Sequence, residues 1–137
     1  MERKHLMSIL LIITISLISC NSLKTSNIIG TWKISEKYTS IGETRNFEKV
    51  TSERTITLKK DGTFYSNGNM CSRDINDMKP SSGKFYLDKS KDKVYILQPN
   101  DCVGISGANI MLNIKEKKLQ INYPSSGYYY FVYERVN

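Results

Sequence analysis

Apolar and polar residues alternate along most of this chain in short runs, and one early stretch breaks that habit. From Leu6 to Ile18 the chain is almost wholly apolar, interrupted only by Ser8, Thr14 and Ser16. Beyond Ile28 no helical periodicity lasts longer than about one turn. Segments rich in β-branched and aromatic residues recur instead between turn signals, which is how half-buried strands read. They predict strands at 31–38, 54–59, 63–67, 83–87, 92–98, 109–114, 117–122 and 128–135. Each is near enough to the next in sequence to pair as an antiparallel meander.

The connections alternate in length. Lys60-Asp61-Gly62, the Asp88 to Lys91 segment and Lys115-Glu116 make tight turns, and Asp61-Gly62 is a strong hairpin signal. Residues 39–53, 68–82 and 99–108 make long connections. Alternate connections of a meander lie at opposite ends, so the tight turns share one end and the long loops the other. The fold predicted is all-β, an eight-stranded antiparallel up-and-down barrel with one pinched and one loop-rich end. Charged positions set the inward face. With Lys33 and Lys37 outside, Trp32, Ile34, Glu36 and Tyr38 point in. Ile56, Leu58, Phe64, Phe85, Leu87, Val94 and Ile96 follow, then Ile110, Leu112, Ile114, Leu119 and Ile121. Glu134 outside leaves Tyr129, Phe131 and Tyr133 inside. This set is bulky, so the lower barrel reads as solid core and any cavity as shallow, near the loop-rich mouth.

The apolar run at the start follows Arg3 and Lys4. It is shorter than the roughly 20 residues that span a bilayer and suits the roughly 7–15 of a signal-peptide core. Leu17-Ile18-Ser19-Cys20 resembles a bacterial lipobox. The resemblance implies a signal peptide over 1–19 and a Cys20 that becomes the acylated first residue, anchored in the membrane of a bacterial cell envelope. An ordinary secretory signal with a coincidental cysteine is the competing reading, and charge, apolar length and motif together favour acylation. Asn21 stands where an aspartate often signals inner-membrane retention, which points to the outer membrane, facing the periplasm. Residues 20–27 are then the lipidated cysteine and a polar tether, and 28–137 the barrel domain.

Without residues 1–19 the chain loses Glu2, Arg3, Lys4 and His5, its one histidine, and carries a net charge of +6 over 118 residues. That is enough for one domain with a modest core. Without histidine, no Ser-His-Asp triad, Cys-His pair or histidine metal site can form. Glu36 alone is thin support for carboxylate catalysis, so the expectation is a non-enzyme with neither cofactor nor metal. Asp74, Asn76 and Asp77 fail the calcium-loop pattern at Met78. The basic charge comes with no nucleic-acid recognition motif. Cys71 and Cys102 form an even pair in an exported chain and predict a disulfide. It would close a loop of about 30 residues, a stabilisation of about 3–4 kcal/mol. A pair of metal-binding thiolates is the rival, but it lacks further ligands.

Gly30-Thr31-Trp32 resembles the Gly-x-Trp that opens the first barrel strand of lipocalins. The whole pattern is similar to the lipocalin-like lipoproteins of bacteria. The resemblance implies that a basic residue at the end of the last strand, Arg135, packs over Trp32, a cation–π contact of about 0.5–2 kcal/mol. It also implies a non-enzymatic binding module for a small apolar or amphipathic molecule, with Tyr38, Phe64 and Tyr129 as candidate lining of a mouth pocket. The same aromatics as mere completion of the core is an equally open reading. A protein-interaction role, such as inhibition of an envelope hydrolase, is the alternative function, and the net charge suits an acidic target. The tight turns hold Lys59 and Lys60, then Lys89, Lys91 and Lys93, then Lys115, Lys117 and Lys118, all at the end where the tether attaches. They could meet lipid headgroups, or simply reflect the taste of exposed turns for lysine.

Overall fold

A computed structural model of the chain describes residues 27–102 and 109–137. Nine antiparallel strands form one sheet: β1 (Gly30–Ile41), β2 (Thr44–Lys49), β3 (Thr55–Leu58), β4 (Thr63–Ser66), β5 (Ser81–Leu87), β6 (Val94–Pro99), β7 (Ile110–Lys115), β8 (Lys118–Tyr123) and β9 (Tyr128–Arg135). No helix occurs among the described residues. The order is β2-β1-β3-β4-β5-β6-β7-β8-β9, and β1 also pairs with β9, which closes β1 and β3 to β9 into an eight-stranded barrel. The eight expected strands form with bounds shifted by no more than two residues, except that β1 runs on to Ile41.

The ninth strand lies where a loop was expected. Beyond Lys33, where its pairing with β3 stops, β1 continues upward and pairs through Glu36–Ile41 with β2. Ile41 faces Thr44 across the two-residue turn Gly42-Glu43, and Gly42 supplies a φ of 61°. A glycine at the first central position is what a tight hairpin of this kind requires. All six residues of β2 are exposed. A strand with no buried face needs no alternation, so its sequence carried no strand pattern.

Registers fix the two ends of the barrel. Gly30 faces Leu58, Leu87 faces Tyr95, Lys115 faces Lys118 and Arg135 faces Trp32. The tight turns, the start of β1 and the end of β9 therefore share the closed end. The connections after β4, β6 and β8 lie at the mouth. The core between them includes Ile56, Leu58, Phe64, Phe85, Leu112, Leu119, Ile121, Phe131 and Tyr133, all buried. Burying an aliphatic or phenylalanine side chain of this size contributes about 1.5–3 kcal/mol, so the closed half is held by hydrophobic packing.

Two expectations about facing are overturned. On β6, Tyr95 and Leu97 point inward rather than Val94 and Ile96, because Leu97 faces Phe85 and Tyr95 faces Leu112. Lys93 still belongs to the turn, with φ at 56°, so strand alternation starts one residue later than the pattern implied. On β1 a bulge intervenes: Ile34 faces Tyr133, but Glu36 already faces Val132. One extra residue inverts every side chain beyond it. Lys37 therefore shares the inner face with Phe131, while Glu36 and Tyr38 point outward.

Candidate functional site

The mouth is organised by a residue that the sequence reading passed over. Arg54 lies just before β3, is completely buried, and turns its guanidinium up into the loop at 68–80. Nη1 donates to Asp74 O at 3.2 Å, and Nη2 to Asn69 O and, at 3.5 Å, to Ser72 O. The guanidinium carbon lies 5.6 Å from the centroid of the Phe131 ring. Gly68 makes room for the arginine stem, since a Cβ there would sit 2.8–2.9 Å from Arg54 Cγ, Cδ and Nε. Among the described residues no carboxylate lies within 4 Å of this charge.

Beneath the loop, Tyr123 and Tyr133 are buried, and the Tyr133 hydroxyl finds no hydrogen-bond partner. The Tyr123 hydroxyl and Arg54 Nε make no bond of good geometry, although the Arg54 side chain stands close enough to lower the Tyr123 phenol. Burial pushes the Tyr133 phenol up to about 12, with the Arg54 charge opposing it. Burial raises Tyr123 further still and the nearby Tyr133 adds to the rise, while the charge and hydrogen bonding of Arg54 oppose it. Buried donors are normally paired, so three unsatisfied polar atoms in one apolar barrel mark a place suited to a polar guest. Tyr129 closes the cluster toward solvent. Its hydroxyl donates to Arg73 O at 2.8 Å, the Arg73 guanidinium carbon sits 5.2 Å from its ring, and Arg73 also donates to Pro124 O. Cys71 and Cys102 are joined by a disulfide with Cα atoms 5.3 Å apart. The 68–80 loop is thus tied to its neighbours by Arg54 from below, Arg73 from one side and the disulfide from another.

The three aromatics proposed for the mouth do not converge. Phe64 is core, Tyr129 lies under the loop, and Tyr38 is on the outer face, stacked on Tyr130 with centroids 4.7 Å apart. Lys37 takes the inward place, with Nζ 5.8 Å from the Tyr129 ring. Glu36, expected as the inward acid, accepts from Lys118 on the outside at 3.2 Å, and Lys118 also reaches Glu134 at 2.9 Å. Asp74 and Asp77 spend carboxylate oxygens on the amides of Asn76 and Lys79. Among the described residues no cluster of three or more His, Cys, Asp or Glu could hold a metal ion. Cys20 and the segment 1–26 lie outside the described residues.

At the closed end Arg135 lies over Trp32, its guanidinium carbon 4.2 Å from the ring centroid. It donates from Nη1 to Ile29 O at 2.7 Å and from Nη2 to Asn27 O at 2.8 Å, while Trp32 Nε1 donates to Ile28 O at 2.9 Å. Gly30 completes the unit. Its φ is 137°, and a Cβ at that position would strike the Arg135 guanidinium. The family model for the lipocalin-like domain matches residues 28–135, the span that holds this Gly-x-Trp unit and the whole barrel. The chain belongs to the lipocalin-like family. A lipocalin-like barrel is a scaffold suited to binding small hydrophobic molecules, and members of the family are generally binding proteins rather than enzymes. Comparison with curated proteins gave no match, and comparison with solved structures gave none either.

The charge of this lipocalin-like domain is unevenly spread. At the mouth, Lys37, Arg45, Lys49, Arg54, Arg73 and Lys79 are nearly balanced by Glu43, Glu48, Asp74, Asp77 and Asp101. The closed end carries the eight turn lysines and Arg135 against Asp61, Asp88, Asp92, Glu116 and Glu134. Asp61 and Asp88 are held ionised there, their carboxyls lowered chiefly by hydrogen bonds from Thr63 and Ser90.

Proposed function

We propose that this lipocalin-like protein is a non-enzymatic binding module of the bacterial envelope, acylated at Cys20 and held on the outer membrane facing the periplasm. It takes a small amphipathic molecule at the mouth, polar end inward. The observation that carries this reading is the buried Arg54 with no carboxylate within 4 Å, next to the buried Tyr123 phenol and the unpartnered hydroxyl of Tyr133. A buried cation met only by neutral loop carbonyls is costly, as are buried phenols with unfilled bonding capacity, and the polar or acidic head of a ligand would satisfy them. The bulky core below leaves the apolar part of such a molecule to the upper barrel and the loops. Anchoring is supported by the lipobox-like Leu17-Ile18-Ser19-Cys20 and by a tether that starts at the barrel base.

Native mass spectrometry of protein purified from envelope membranes tests the ligand. An adduct of a few hundred daltons that disappears in Tyr123→Phe/Tyr133→Phe is expected, and adduct-free protein from every preparation would refute the reading. Intact mass of the Cys20 fragment tests acylation separately. A protein-interaction role, such as an envelope hydrolase inhibitor, is favoured by a different observation. Ile41, Phe47 and Tyr128 stand exposed around the β1–β2 hairpin at the mouth rim. A stoichiometric protein partner in adduct-free preparations would favour that role.

A further inference from the structure

We propose that the closed end of the barrel is a docking surface for an anionic lipid bilayer, so that the mouth faces away from the membrane. The surface has a shape as well as a charge. A groove of about 710 Å³ opens there, with Ile28, Leu87 and Ile114 among its apolar lining and Lys89, Lys91 and Lys93 along the β5–β6 turn. Asp88 and Asp92 also line it, so its excess of positive charge is small by itself. It becomes substantial with the lysines of the two neighbouring turns, of which Lys118 alone is bound up in ion pairs. Leu87 is 41% exposed at the rim, an apolar side chain placed to enter a headgroup layer.

What covers this surface follows from where the chain leaves it. Asn27 itself lines the groove. Arg135 holds the carbonyls of both Asn27 and Ile29, which pins the exit point beside the lysine turns. From Cys20 to Asn27 the chain reaches about 25 Å at most. An acyl anchor at Cys20 therefore brings the closed end, rather than the mouth, against the lipid. The setting rests on the acylation reading above, but not on any ligand at the mouth.

Lys93, Glu116 and Lys117 hold φ values of 56°, 51° and 65°, a left-handed conformation that glycine would adopt without strain. Two of these three strained positions carry lysine, and all three lie in the turns of the closed end. In the β7–β8 turn the two-residue hairpin itself demands positive φ at both Glu116 and Lys117, so this conformation belongs to the turn. Each lysine near an anionic surface favours association by about fivefold, and three together by about a hundredfold, within a Debye length of about 8 Å.

The test uses the acylated full-length protein inserted into vesicles, carrying a fluorophore at Asn137→Cys on the closed end or at Ser126→Cys on the mouth. Headgroup spin-labelled lipid reports proximity by quenching. In phosphatidylcholine with about one third phosphatidylglycerol at ~0.1 M salt, quenching at 137 should exceed that at 126 severalfold. The difference should fall severalfold, to the smaller excess that the tether alone imposes, in pure phosphatidylcholine, at ~1 M salt, and in Lys89→Gln/Lys91→Gln/Lys93→Gln with unchanged thermal stability. Equal quenching at the two ends in the anionic vesicles overturns the proposal, as does an excess that pure phosphatidylcholine and the triple substitution both leave unchanged. Loss of the excess with millimolar inorganic phosphate would reveal a phosphate site instead of a membrane surface and would equally overturn it. If mass spectrometry finds Cys20 unmodified, the same protein and triple variant are compared by vesicle sedimentation. The hundredfold difference is then the quantity that stands or falls.

Discussion

Arg54 and Gly68 form a pair whose coupling can be measured. Arg54→Ala removes a buried guanidinium from three loop carbonyls. Each charge-assisted bond contributes about 1.5–3 kcal/mol, but the change also relieves the desolvation of an unpaired charge, so a net loss of about 3 kcal/mol is expected. Gly68→Ala places a methyl 2.8–2.9 Å from the arginine stem. Overpacking of this kind costs about 1–3 kcal/mol. In the Arg54→Ala background those stem atoms are gone, and the same substitution should cost less than about 0.5 kcal/mol, since glycine's φ at this position is not left-handed. The coupling is therefore about 1–2 kcal/mol, read from urea midpoints of the four proteins. Hydrogen exchange gives a local readout. The amides of Asn69 and Met70, bonded to Asp77 O and Ser81 Oγ, should lose about ten- to hundredfold protection in Arg54→Ala beyond the global change. Strictly additive free energies, or loop amides that change only with global stability, would refute the claim that Arg54 bolts the mouth loop from inside.

Three further outcomes follow from the same geometry. Because burial raises Tyr123 and Tyr133 above the unfolded value of about 10, their contribution is intact below that pH and is lost as pH climbs toward about 12. The urea midpoint should hold up to about pH 9 and fall above about 10, more shallowly in Tyr133→Phe; ionisation of all nine tyrosines at 295 nm with the fold intact would contradict this. Replacing Cys71 and Cys102 by serine opens a linkage between residues 31 apart and should lower stability by about 3–4 kcal/mol, reproduced in the parent protein by reductant. In the β7–β8 turn, where Glu116 and Lys117 both hold positive φ, Glu116→Asn/Lys117→Gly should raise stability by about 1–2 kcal/mol in thermal unfolding.

Much of the barrel was legible because its signals are local. Ile56, Leu58, Leu119 and Ile121 alternate with polar residues, and that period of two is a property of the strand alone. Turn lengths then sorted the connections to two ends, which is why Cys71 and Cys102 could be expected to meet without knowledge of any contact. The encounter of Arg135 with Trp32 follows from β1 and β9 lying side by side at one end. The β2 strand was not legible in the connection expected at 39–53, because its fully exposed residues are free of any pattern and only Gly42, at the head of a two-residue turn, carries a local signal.

The sequence by itself determined the strand rhythm, the closed end and the pairing of the two cysteines, all of which depend on short-range chemistry or on chain connectivity. Tertiary structure decided which way Tyr38 and Glu36 point, because one bulged residue, defined only by the register against β9, inverts the alternation beyond it. It likewise decided that Arg54 is buried without a carboxylate, since its partners at Asn69, Ser72 and Asp74 come from a loop folded back over the barrel. A side chain's facing is read from its own strand only where no bulge or shifted turn intervenes. Its burial and its partners are set by segments brought to it from elsewhere.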